Sequence, residues 1–317
     1  MEWILIVLGT FILLFIGVLL IFFNMAFVRR KSGNLDDLSS PANEFLRPYI
    51  DLLQPGMDFI NNFDVKEHYI LSDDSLRLYG RYFDNNSDKT ILLFHGYRSS
   101  SAHDFCGALK FYYDNGFNIL LADQRSHGKS QGKLITFGVK ESYDVVDWCE
   151  FINAKYAPKN IVLSGVSMGA STVLFALKHK LPQNVKCVIA DCGFTSPADI
   201  IRKVGIERFK IDARFYLPFL NAFAKIFGKF SVYEDTKEVL KNNKLPVMFI
   251  HGEKDTFVPV EMTRMALQSA GKNGKAIFVE NADHGVSFLV EPQRVGTEIL
   301  SFLADTLGWL LNWNFIK

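Results

Sequence analysis

Cysteine is scarce, with four copies in 317 residues, and none stands in a Cys-x-x-Cys pair or at zinc spacing from a histidine. That excludes a zinc ribbon, a thioredoxin-like redox site and a disulfide scaffold as organising features. Cys106, Cys149, Cys187 and Cys192 sit among apolar or helical neighbours and read as small buried hydrophobes. A Cys187–Cys192 bridge has no motif behind it. Excess charge is also lacking. The net charge is +1 and no basic stripe runs along the chain, which argues against nucleic-acid binding. No glycine loop suited to phosphates or a dinucleotide follows the first parallel-strand pattern, so no nucleotide cofactor and no metal is expected. Internal repeats and low-complexity tracts are missing too. Hydrophobic residues make up 49% of the chain and charged residues 22%, enough for a sizeable core.

A further absence is local. From Trp3 to Val28 there is no charged residue. An apolar helix of about 20 residues crosses a hydrocarbon core of about 30 Å. A cleaved signal peptide needs a basic start and a small-x-small cleavage site. Only Met1 and Glu2 precede this run, and Asn24-Met25-Ala26-Phe27 suits cleavage poorly. Residues 1–28 are therefore expected to form a retained single-pass transmembrane helix. Arg29, Arg30 and Lys31 follow at once, so the positive-inside rule puts the rest of the chain in the cytoplasm.

Residues 29–64 read as a linker and docking segment, with turn signals at Ser32-Gly33-Asn34 and Ser39-Ser40-Pro41 and a short helix over Phe45 to Leu53. Residues 65–317 carry the main domain. Val65 to Tyr82 alternates around Ser72-Asp73-Asp74-Ser75 as an antiparallel hairpin does. Thr90–Phe94, Asn118–Ala122, Ile161–Leu163, Val185–Ala190, Val247–Ile250 and Ala276–Val279 are short apolar runs without alternation, the signature of parallel strands buried on both faces. Helical patterns separate them, over Asp104–Asn115, Lys140–Lys155, Met168–His179, Val260–Ser269 and Pro292–Trp313. This predicts an α/β fold: a mostly parallel, doubly wound sheet with an antiparallel start. About residues 194–244 break the alternation with aromatic-rich helical sequence.

The segment Ile161 to Ala170 holds a strand, then Gly165-Val166-Ser167-Met168-Gly169, then a helix. A serine on such a turn is strained, exposed at the strand's carboxyl end and beside a helix N-terminus that favours an oxyanion. Gly165 and Gly169 remove side chains that would collide across the turn.

With this motif in its strand–helix context, the chain resembles the α/β-hydrolase superfamily, in particular the bacterial lysophospholipase-like and serine-aminopeptidase-like serine hydrolases. The resemblance spans about residues 65–313. Phe94-His95-Gly96-Tyr97 is similar to the oxyanion loop, and Asp123 to Ser130 to an Asp-x-Arg-Gly-His-Gly-x-Ser loop in which Ser126 replaces glycine. His251 to Pro259 resembles the acid-bearing loop and Asn281 to Gly285 the histidine loop. The resemblance implies the order nucleophile Ser167, acid Asp255, base His284, with oxyanion donors at the Tyr97 and Met168 amides and a lid over about 194–244. Asp191, after another strand, is the alternative acid. His95, His127 and His251 stand in tight turns and are expected to brace loops, and Asp283 is expected at the surface.

Such a triad transfers an acyl group through an acyl-enzyme but does not name the acyl group. The aromatic lid and the apolar span favour a carboxylic ester, lysophospholipid-like or acylglycerol-like. An aminopeptidase ranks second, since no acidic cluster in the lid would grip an amine. A non-catalytic binding or scaffold protein, and acyl transfer to an acceptor other than water, complete the alternatives.

Overall fold

The computed structural model describes residues 2–30 and 35–309. Lys31, the Ser32-Gly33-Asn34 turn and residues 310–313 of the expected last helix lie outside the described residues. The chain opens with helix α1 (Glu2–Phe27). A 3-10 segment (Pro41–Tyr49) leads into α2 (Ile50–Asn62), and strands β1 (Lys66–Leu71), β2 (Arg77–Phe83) and β3 (Lys89–Phe94) follow. Then come α3 (Ser101–Asp114), β4 (Asn118–Asp123), α4 (Glu141–Tyr156), β5 (Asn160–Val166), α5 (Met168–Ala176) and β6 (Val185–Asp191). The insertion holds α6 (Pro197–Phe209), α7 (Leu217–Phe223), a single π turn (Ala224–Gly228) and α8 (Thr236–Asn242). The chain returns through β7 (Val247–Gly252), α9 (Val260–Ala270), β8 (Gly274–Val279), α10 (Ser287–Val290) and α11 (Pro292–Leu307).

The strands form one sheet in the order β1-β2-β4-β3-β5-β6-β7-β8. β1–β2 and β2–β4 are antiparallel, and every other pairing is parallel. β4 and β7 are buried along their whole length. Helices cover both faces, which is why these strands read as unbroken apolar runs. One face packs Phe105, Leu109, Val162 and Ile299; the other packs Trp148, Leu163, Val173 and Phe249.

Two expectations about residues 29–64 change. The short helix over Phe45–Leu53 is instead the 3-10 segment followed by α2, which continues to Asn62. Gln54-Pro55-Gly56 reads as a breaker in sequence. It does not act as one here, because Leu53, Met57 and Ile60 lie on one helical face and are buried in the core against α3. Gly56 makes the close approach, since a Cβ there would overlap the Cys106 carbonyl. The second change is at the start of the segment. Val28 bridges to Leu134, the Ile135 amide donates to the Phe27 carbonyl (2.7 Å), and the Arg29 side chain donates to the Ser130 (2.7 Å) and Gly128 (2.6 Å) carbonyls. The chain leaving α1 is thus fixed to the domain. All four cysteines are free and buried.

α1 is long and apolar enough to cross a membrane by length and composition. Only one stripe of it is buried: Leu19, Phe23 and Phe27, four residues apart. The rest of it is largely exposed, with Trp3 at 79% and Phe11 at 67%. A core helix would be covered all round. Phe27, fully buried, packs against Phe137 and Phe230 in the cluster that also holds Met168 and Phe194. We predict that Phe27→Ala lowers the unfolding free energy of the detergent-solubilised protein by about 3 kcal/mol, read by thermal or denaturant unfolding. A helix that merely tethered the domain would leave it unchanged.

Candidate active site

β5 turns into α5 at Ser167, which takes φ +56° and ψ −117°. A non-glycine residue there costs about 1–3 kcal/mol. The surroundings enforce it. A Cβ at Gly165 would overlap the Gly169 backbone, and one at Gly169 would overlap the Phe94 carbonyl. The Ser167 amide donates to the Asp191 carbonyl at 2.8 Å, tying the turn to β6. Met168 is the first helical residue, so its amide is one of those a helix start leaves unpaired.

The structure brings the three expected side chains together. Ser167 Oγ lies 2.9 Å from His284 Nε2, and His284 Nδ1 lies 2.7 Å from Asp255 Oδ2. A carboxylate on Nδ1 fixes the imidazole tautomer with its proton there, leaving Nε2 to accept from the serine hydroxyl. Asp255 Oδ1 accepts from the Phe257 (2.8 Å) and Val258 (2.7 Å) amides, and its carboxyl is fully buried. Burial alone would raise its pKa. Bonds from His251 and His284 outweigh that and hold the carboxyl well below the ordinary carboxylate range.

The loop histidines brace as expected, with specific partners. His251 stands 3.1 Å from Asp255 Oδ2 and bonds Thr263 Oγ1 and the Val258 carbonyl, so it steadies the acid. His127 Nε2 accepts from the Arg98 amide at 2.9 Å, and His95 Nε2 accepts from the Gln124 amide at 3.1 Å. Burial pushes His127 down to about 3, so it stays neutral and able to accept. Asp283 is at the surface but ties the loops around the triad, accepting from the Thr256 (2.9 Å) and His284 (2.8 Å) amides. Asp191 is not in contact with the His284 ring nitrogens. Its Oδ1 is buried without a partner, and burial pushes the carboxyl up to about 7 against the pull of His251 and His284. The ligand atoms of Cys192, Asp255 and His284 lie within 4.8 Å of one another. Asp255 and His284 are committed to each other and burial keeps the Cys192 thiol protonated, so this donor set suits a metal poorly.

Three contributors had no signal in the sequence. Partly buried Asp104 accepts from the Gly96 amide at 2.6 Å and so shapes the loop carrying Tyr97. The Phe257 ring packs edge-on against His284 at 5.0 Å. Most unexpected is α1: Tyr97 Oη donates to the Ala26 carbonyl (2.7 Å) and Arg98 donates to the Met25 carbonyl (2.7 Å). Ser126 has φ +65°, which accounts for the glycine usual at that point, and its Oγ secures the loop on the Leu134 carbonyl.

Two cavities meet at Ser167. One, of about 260 Å³, runs beneath it between Leu53, Phe105, Tyr112, Phe288 and Leu289. The other, of about 350 Å³, opens between α1 and the inserted helices.

A family model for the alpha/beta hydrolase fold matches residues 89–217. The solved esterase Pf2001 of Pyrococcus furiosus superposes with a TM-score of 0.64 at 28% identity, covering 77% of this chain and 93% of that one. The chain has the α/β-hydrolase fold. Among similar sequences, the Bacillus subtilis protein YqkD is 25% identical over 69% of this chain and 72% of its own. The Schizosaccharomyces pombe protein bem46 is 29% identical over 55% of this chain and 53% of its own.

The two candidate acids are separable. Asp255→Asn should lower turnover by about 10⁴-fold, while Asp191→Asn should cost less than tenfold. Because the folded pKa of Asp191 is raised, its contribution to stability is lost as pH climbs from about 4 toward 7. Asp191→Asn should therefore raise the melting temperature more at pH 8.5 than at pH 5.5.

Proposed function

We propose that this α/β-hydrolase is a membrane-anchored serine esterase that cleaves carboxylic esters through an acyl-enzyme. The observation that carries the reading is the hydrogen-bonded chain from Ser167 through His284 to Asp255 at the meeting point of two cavities. In the first step Ser167 Oγ attacks the ester carbonyl carbon while His284 Nε2 takes its proton. Asp255 stabilises the imidazolium. The carbonyl oxygen gains negative charge and accepts from the Met168 and Tyr97 amides. The carbon–oxygen bond to the alcohol then breaks, and His284 returns the proton to the departing oxygen. Water repeats the sequence on the acyl-enzyme, releases the acid and restores Ser167.

Apolar walls around the 260 Å³ cavity suit an acyl chain. The esterase named for the Pyrococcus furiosus relative supports the ester reading by similarity. The aminopeptidase reading is weaker, since no Asp or Glu stands among the described residues lining the lid-side cavity. A scaffold role gives no reason for a complete triad.

α1 supports the membrane reading, because an exposed 26-residue apolar helix is stable only in a hydrocarbon environment. Arg29 and Arg30 at its end support, by the positive-inside rule, a catalytic domain on the cytoplasmic side.

A tagged fluorophosphonate should label the wild-type protein in membranes and leave Ser167→Ala unlabelled. Absence of label on folded wild type overturns the reading. A p-nitrophenyl ester series should then show kcat/KM rising with acyl length until the lower cavity is filled.

A further inference from the structure

The lid-side cavity has an unusual wall. Phe22, Met25 and Ala26 of α1 form one side of it, and Val204, Phe209 and Tyr216 of the insertion form the other. α1 and the insertion interlock along the helix. Phe22 stacks on Tyr216 at 5.1 Å, Phe23 meets Phe227 at 5.7 Å and Phe15 meets Phe219 at 5.2 Å. Phe15 lies twelve residues before Phe27, about 18 Å up the helix axis. The insertion therefore follows α1 well into the depth of a membrane span. Its outer residues there are apolar and exposed: Phe215, Phe219, Ile226 and Phe227. They continue the apolar surface of α1 without a break.

The same cavity also carries positive charge. Arg30, Arg98 and Arg208 line it. None of the three pairs with a carboxylate among the described residues. Arg30 and Arg98 are near enough to repel each other. Arg98 Nε is buried without a partner. Arg30 closely follows the apolar span, at the level where headgroups of a bilayer would lie.

We propose that the groove between α1 and the lid is a lateral binding site for a bilayer-resident acyl ester with an anionic headgroup, held by Arg30, Arg98 and Arg208. The inference rests on the serine-esterase reading and names its substrate class. The ester enters from the membrane side. Its chain stays among apolar walls, its headgroup stays with the arginines, and its carbonyl reaches Ser167.

The test uses the full chain in phosphatidylcholine nanodiscs. Lysophosphatidylglycerol, lysophosphatidylcholine and monoacylglycerol of one acyl chain are compared by kcat/KM, with fluorophosphonate labelling as a separate readout of Ser167. Anionic substrate should be preferred over zwitterionic by about tenfold or more, the scale of one charge-assisted bond. The Arg30→Gln/Arg208→Gln variant should lose that preference while still taking the label. Val204→Trp, which fills the groove, should slow the anionic lipid by about tenfold and still take the label. A wild type that takes the label but treats the three headgroups alike overturns the inference and leaves the esterase reading standing. Preference retained in the double-arginine variant also overturns it. A wild type that takes no label removes both.

Discussion

Ser167 is held at φ +56° by contacts that no side chain at position 165 or 169 would permit. The other parts of the site are placed by that turn. β5 sits in the middle of the sheet, so the turn has β3 on one side and β6 on the other. The Phe94–Gly165 pairing brings the end of β3, and with it the Tyr97 amide, next to the serine. Asp255 and His284 follow the ends of β7 and β8 and close on the serine from the far side, with Asp283 and His251 fixing the loops that hold them. A parallel sheet delivers all of these to one edge because every strand there ends in the same direction.

The second constraint links the apolar helix to the chemistry. The loop after β3, whose Tyr97 amide is the proposed oxyanion donor, uses its own side chains, Tyr97 and Arg98, to hold the last carbonyls of α1. Those carbonyls have no partner within the helix. Helix end and the loop after β3 therefore satisfy each other, and Phe27 buries the joint in the core shared with the insertion. Under the proposed function, membrane attachment and oxyanion-loop geometry are one structural unit, unlike an anchor on a flexible leash.

Sequence reading was strongest where local pattern and tertiary demand agree. Doubly buried strands have to be apolar throughout, so their runs stood out, and the Gly-x-Ser-x-Gly turn follows from steric exclusion at two positions. The order of the site residues was legible through resemblance rather than periodicity. α2 was cut short because Pro55-Gly56 is a local breaker that packing against α3 overrides. Asp104, Phe257 and the α1 wall were invisible for a different reason. Each matters through a partner distant in sequence, such as Asp104 through the Gly96 amide or Ala26 through Tyr97, and nothing in the local pattern encodes such pairings.

The proposed triad acts as a unit, because serine, base and acid take part in one proton-coupled attack. The most direct measurement is the kcat of Ser167→Ala, His284→Ala and the double variant on one soluble ester. Groups that act together give a double variant no slower than either single one, each down by about 10⁴–10⁶-fold. Losses that multiply in the double variant would mean that Ser167 and His284 act independently, and would contradict the triad.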